Sequence, residues 1–206
     1  MQTLRAFFKL LRILRCVLFG YWRIKTEFPK LEPQAQALAV EEWSRDMLSI
    51  MGITVRLQGK PSDGPVLMAA NHISWLDILV MHAARHCRFI AKSEIRDWPL
   101  LGVLTAGGGS LFIERSSHRD AKRVVHLMAE ALSQGQVLGV FPEGGTGDGK
   151  TLLPFHGNLL QAAIEAQSLI QPVGLQFLEA DSGMKSFAPC YQAEDTLLGS
   201  VWRTLC

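Results

Sequence analysis

The sequence predicts an α/β domain, a central mixed sheet flanked by helices on both faces, preceded by an N-terminal amphipathic helical element. Two observations predict it. From Pro65 onward, short apolar runs alternate with stretches of helical periodicity, which is how strands and crossover helices read in such domains. Ahead of them, residues 4–22 carry apolar and basic side chains at helical spacing, and the breaker Phe28-Pro-Lys-Leu-Glu-Pro33 follows. The 206 residues suit one domain with a sizeable core. The expected division is a helical element over residues 1–33 and a domain over 34–206.

At about 100° per residue, Arg5, Lys9, Arg12, Arg15 and Arg23 fall in one stripe, while Phe7, Leu14, Val17 and Tyr21 point the other way. The longest uncharged run, Cys16 to Trp22, has seven residues, and a spanning helix needs about 20. An uninterrupted apolar region with a small-residue cleavage site is missing, so a secretory signal does not fit. A basic amphipathic helix rich in Phe and Trp suits the headgroup boundary of an anionic membrane. The competing reading is a helix that packs its apolar face on the domain.

The remaining elements follow in order. Gln34 to Ile50 has helical character, and Ile53-Thr-Val-Arg-Leu57 alternates like a half-buried strand. Val66 to Ala70 is uniformly apolar, as a buried strand requires, and Leu76 to Ala84 is a helix. Arg88 to Lys92 is the next strand, Leu100 to Thr105 a short helix, Ser110 to Glu114 a strand and Arg119 to Ser133 a long helix. Val137 to Phe141 is a strand, Leu159 to Gln167 a helix and Pro172 to Phe177 the last strand. Ligands in open α/β sheets gather where strands end and helices begin. Three of those loops hold unusual polar residues: Asn71 to Asp77, Arg115 to His118, and Pro142 to Lys150.

Composition excludes some classes. A formal net charge of +2 and the lack of a binding signature exclude a nucleic-acid partner. Cys16, Cys87, Cys190 and Cys206 lie far apart without a C-x-x-C pair, which suits a reducing compartment. His82 and His86 could share a helix face, but no H-E-x-x-H accompanies them, so no metal site is expected.

His72 and Asp77 are five residues apart. On one continuous helix they would sit about 140° apart and could not meet. They meet if the chain bends from strand to helix between Ala70 and Ser74, where the pattern changes. A carboxylate on an imidazole fixes its tautomer and favours the imidazolium formed on proton uptake. The pair then suits a general base acting on a hydroxyl. The bland alternative is that Asp77 only caps a helix in the capping-box pattern Ser74-x-x-Asp77. No G-x-S-x-G elbow occurs, so the nucleophile comes with the substrate.

Gly144-Gly-Thr-Gly-Asp-Gly-Lys-Thr151 matches G-x-x-x-x-G-K-[ST] after an apolar strand. Alone it reads as a loop that cradles nucleotide phosphates. That function needs a helix starting at Lys150-Thr151, and Pro154 and Gly157 oppose one.

These residues, in order, resemble the signature blocks of the glycerolipid acyltransferases of the 1-acylglycerol-3-phosphate acyltransferase (PlsC-type) family. Asn71-His72-x4-Asp77 is similar to the first block. Phe89-Ile-Ala-Lys92-Ser-Glu94 with Pro99-Leu-Leu-Gly102 is similar to the second, and Gly109-Ser-Leu-Phe112-Ile113-Glu-Arg115 to the G-x-x-F-I-x-R block. Phe141-Pro142-Glu143-Gly144 and Pro172-Val173 are similar to the last two. The resemblance covers roughly residues 50 to 180. It implies that 34–206 is an acyltransferase domain in which His72 deprotonates a glycerol hydroxyl and Asp77 orients His72. It implies that Lys92 and Arg115 face the acceptor's phosphate and that Glu143 and Gly144 shape the acceptor pocket. The implied donor is acyl-CoA or acyl-carrier protein, with no bound cofactor or metal, and the acceptor is lysophosphatidic acid or another lyso-lipid such as lyso-ornithine lipid. The implied location is the cytoplasmic face of the inner cell membrane, as a peripheral or monotopic protein. Two departures stand out. Gly145 occupies the place of an expected threonine, for which Thr146 is the substitute. The chain also ends at Cys206, where the family pattern carries further strand and helix.

Overall fold

The computed structural model describes residues 2–114, 118–192 and 195–205, and only the backbone of residues 2–4 and 118–121. Its centre is a parallel sheet in the order β3-β2-β4-β1-β5, with β1 Val66–Ala70, β2 Arg88–Lys92, β3 Leu111–Ile113, β4 Val137–Val140 and β5 Leu169–Val173. Every pairing is parallel, so the sheet is not mixed. Each connection holds a helix that returns the chain to the starting edge, and the next strand therefore runs the same way.

The helices are α1 Gln2–Thr26, α2 Pro33–Met51, α3 Leu76–Ala84, α4 Leu101–Gly107, α5 His118–Ser133, α6 Gln161–Glu165 and α7 Leu197–Leu205. Side chains alternate across a strand, and β1 shows the result. Val66, Met68 and Ala70 pack with Met81 of α3 and Phe89 of β2. Leu67 packs with Leu138, Met128 and Leu132 of α5 and Ala162 of α6. Each face of the sheet thus has its own core. A third cluster joins Met47, Leu48 and Met51 of α2 to Leu76 and Ala83 of α3 and Ala6 of α1.

Two expected strands change. Ile53 to Leu57 alternates as expected, but its inner residues Ile53 and Val55 lie on the helical cluster, and among the described residues no strand pairs with it. Its periodicity reports half-burial, which needs no sheet. The last strand starts earlier, at Leu169, and ends at Val173. Pro172 is tolerated because β5 is an edge strand. Beyond Val173, the Asn71 side chain continues the pairing: Leu175 N donates to Asn71 Oδ1 at 2.6 Å, and Asn71 Nδ2 donates to Leu175 O at 3.1 Å.

α1 lies against α2. The Trp43 indole N–H donates to the Cys16 carbonyl at 3.0 Å. Gly20 permits that approach, since a Cβ there would sit 2.6 Å from Trp43 Nε1. Lys9 Nζ donates to Met51 O at the end of α2, at 2.9 Å. Leu10, Ile13 and Val17 face the domain, while Phe7, Phe8, Leu11, Leu14, Leu18, Phe19 and Trp22 are exposed. One apolar arc therefore packs inward, as the competing reading expects, and a second stays open. Among the described residues, no helix is long and apolar enough to cross a membrane.

Candidate active site

The sheet order sets the place. From β1 the chain leaves toward β2 on one side, and from β4 it leaves toward β5 on the other. The loops after these adjacent strands diverge and open a crevice at their carboxyl ends. His72 lies in the first loop and Glu143 in the second.

The bend that the His–Asp pair requires is present. β1 stops at Ala70 and α3 starts at Leu76. His72 Nδ1 lies 2.8 Å from Asp77 Oδ2. That same oxygen accepts the backbone N–H of Ile73 at 2.6 Å and of Ser74 at 2.8 Å. Asp77 is fully buried. The two readings of Asp77 are thus one arrangement: it closes the turn at the start of α3 and, through it, holds the imidazole. With Nδ1 engaged, Nε2 is the nitrogen left for a substrate. The ring also stacks on Phe141, centroids 3.9 Å apart and planes 10° apart, so its orientation is fixed from the side as well.

Glu143 is buried, and backbone donors take both of its oxygens. His72 N donates to Oε1 at 2.7 Å and Leu153 N to Oε2 at 2.7 Å. A carboxylate tied in this way binds the β4 loop to the histidine's own backbone. Gly147 N donates to His72 O at 2.8 Å and completes the tie. Gly144 has φ +76°, a conformation that suits glycine. Thr146 is half-buried and lines neither of the two cavities at the site. Arg115 lies outside the described residues.

Two cavities meet at the site. One is large, about 670 Å³, and almost wholly apolar. It runs under α1 and α2 past Val17, Trp43, Met47 and Leu79, and Lys92 stands on its lining. The other is small, about 240 Å³, and mixed in character, with Asn71, Glu143, Lys150, Gln176 and Lys185 on its walls beside Leu152, Phe177 and Phe187. Among the described residues, His72 alone lines both. Lys92 and Glu143, which the motif order groups together, therefore stand on opposite sides of His72.

His82 and His86 stack at 5.4 Å. Burial lowers the pKa of His82 to about 3, so it is neutral near pH 7 and no rival base. Among the described residues, no three His, Cys, Asp or Glu side chains gather as metal ligands. The loop that imitates a nucleotide cradle does not lead into a helix: residues 150–156 are non-helical, and a single 3-10 turn, Gly157–Leu159, follows. The amides that would face phosphates are thus not aligned.

Sequence reasoning missed three parts of the site. Phe141 looks like the end of a buried strand and gives no sign that it supports His72. Asn71 looks like a motif residue but acts as a clamp on Leu175. Lys150 and Lys185 are 35 residues apart (185 − 150) and carry no shared pattern.

Comparison with known proteins identifies the family. The family model described as Acyltransferase matches residues 52–176. The chain is 38% identical over 173 residues to a 1-acyl-sn-glycerol-3-phosphate acyltransferase of Neisseria meningitidis serogroup B, covering 83% of this chain and 67% of that protein. It is 37% identical over 163 residues to a lyso-ornithine lipid O-acyltransferase of Pseudomonas aeruginosa, covering 79% of this chain and 62% of that one. Its fold is similar to the crystal structure of the 1-acyl-sn-glycerophosphate acyltransferase PlsC from Thermotoga maritima, with a TM-score of 0.59 at 20% identity over 79% of this chain and 73% of that one. With the ordered motifs and the His72–Asp77 contact in place, the chain belongs to the acyltransferase family.

Proposed function

We propose that the chain moves a fatty acyl group from an acyl thioester to the free glycerol hydroxyl of lysophosphatidic acid, giving phosphatidic acid. The observation that carries this reading is the position of His72. It is held by Asp77 at 2.8 Å where a large apolar cavity meets a smaller one of mixed lining. His72 Nε2 takes the hydroxyl proton, and the oxygen attacks the thioester carbonyl. The new C–O bond forms, the C–S bond breaks, and the leaving thiolate takes the proton from the imidazolium. Asp77 balances the charge on that imidazolium. The apolar cavity receives the acyl chain. Lys92 and Arg115 face the acceptor's phosphate, roles that suit an ammonium point charge and a guanidinium fork. The donor is acyl-CoA or acyl-carrier protein as co-substrate, and the reaction draws on no resident metal or cofactor.

The test is an acyl-transfer assay that pairs each donor with lysophosphatidic acid and with lyso-ornithine lipid. Phosphatidic acid is the expected product. Transfer to lyso-ornithine lipid alone would move the acceptor to that class, which the Pseudomonas aeruginosa relative makes the second reading.

The open face of α1 docks on the membrane, peripherally or monotopically, at the cytoplasmic face of the inner membrane. Its support is the exposed row Phe7, Leu11, Leu14, Leu18 and Trp22 beside Arg5 and Arg12. Changing Phe7, Leu11, Leu18 and Trp22 together to Ser removes exposed apolar groups without touching the inner face. Binding to anionic vesicles is expected to weaken at least about tenfold, read by co-sedimentation. Undiminished binding would place the contact elsewhere.

A further inference from the structure

The small cavity beside His72 has no part in the scheme above. Lys150 and Lys185 stand on its walls, and neither is in a salt bridge among the described residues. The carboxylate that shares the cavity, Glu143, is already occupied by two backbone N–H groups. The turn that carries Lys150 is fixed: Asp148 accepts the N–H of Lys150 at 2.8 Å and of Thr151 at 3.3 Å. From it the Lys150 ammonium reaches over the Phe187 ring, 5.4 Å from the centroid. Two cations without a salt bridge among the described residues thus face a space that touches the His72 imidazole.

A thioester donor has the same division. Its reacting carbon bears an apolar chain on one side and, through sulfur, a polar amide-containing arm ending in a phosphate on the other. His72 stands at the junction of an almost wholly apolar cavity and one lined by both polar and apolar groups, as an arm of amides and methylenes requires. Lys92 lines the large cavity, so the acceptor's phosphate held there leaves the smaller cavity free. At about 240 Å³, that cavity is smaller than the roughly 300–1,000 Å³ of pockets for drug-sized ligands. It suits a carrier arm, with the nucleotide or carrier protein remaining outside.

The geometry points to a donor subsite in which the phosphopantetheine arm lies in this cavity and its phosphate is met by Lys150 and Lys185. The inference rests on the proposed acyl transfer. It applies equally to acyl-CoA and acyl-carrier protein, because the arm and its phosphate are common to both. It also returns a phosphate-binding role to the lysine of the glycine-rich loop, as a point charge and without helix amides.

The experiment compares wild type with Lys150→Ala/Lys185→Ala in the full chain. KM for acyl-CoA and for acyl-carrier protein is expected to rise about tenfold or more, and the Lys→Arg pair is expected to recover most of the loss. A truncated donor, the acyl thioester of N-acetylcysteamine, has no phosphate, so the substitutions should leave its KM within about twofold. A rise for acyl-CoA alone would assign the lysines to the nucleotide's phosphates and overturn the proposal. A rise in KM for lysophosphatidic acid with both donors unmoved would overturn it in favour of an acceptor site. Calorimetry with free coenzyme A and with 4′-phosphopantetheine reads the subsite without catalysis. Weakened binding of both in the double variant supports it, and unchanged binding overturns it. If wild type transfers to no acceptor, the functional reading fails, while the binding result still judges the subsite.

Discussion

Replacing His72 with Ala is expected to lower kcat for acyl transfer by about 10²–10⁴-fold, the usual contribution of a positioned general base. The fold should survive. The His72 side chain is 17% exposed, and its hydrogen-bonding partner Asp77 keeps two backbone donors, Ile73 N and Ser74 N. The loss should fall on kcat, because in the proposed mechanism the ring acts on the reacting hydroxyl, while most of the lining of both cavities comes from other residues. Steady-state kinetics on the purified variant, with circular dichroism for folding, checks this. Full activity with an intact fold would remove His72 from the chemistry.

Asp77 should separate two roles that its position combines. Asp77→Asn keeps an oxygen for the three donors that now meet Oδ2 but loses the charge that balances the imidazolium. A fall in kcat of about 10²–10⁴-fold is expected with little change in melting temperature. Asp77→Ala leaves the N–H groups of Ile73 and Ser74 without that acceptor in a buried turn. It should lose activity as well and cost about 2–5 kcal/mol of stability, measured by denaturant unfolding. Wild-type kcat in the Asn variant would show that the negative charge is not needed.

Much of this was legible in one dimension because its cause is local. β1, β2 and α3 have the expected boundaries, Val66–Ala70, Arg88–Lys92 and Leu76–Ala84, since uniform burial and helical periodicity are written into short windows. The meeting of His72 and Asp77 was legible for the same reason: five residues that include a strand end and a helix start can bend only a few ways. Where local pattern was ambiguous, the reading failed. Ile53 to Leu57 alternates whether its inner face meets a sheet or helices, and only its neighbours decide between them. The last strand, expected over Pro172 to Phe177, ends at Val173, where the side chain of Asn71, 104 residues from Leu175, takes over the pairing.

The sequence by itself determined the family, the His–Asp pair and the alternation of strands and helices. Each is set by residue type and near spacing. Only the tertiary structure decided that the sheet is wholly parallel, that Phe141 braces His72 and that Glu143 binds the loop to its backbone. It also decided that Lys92 and Lys150 line different cavities that meet at His72. These relations follow from strand order. Placing β4 beside β1 brings together residues about 70 positions apart, and no periodicity along the chain encodes which strands become neighbours.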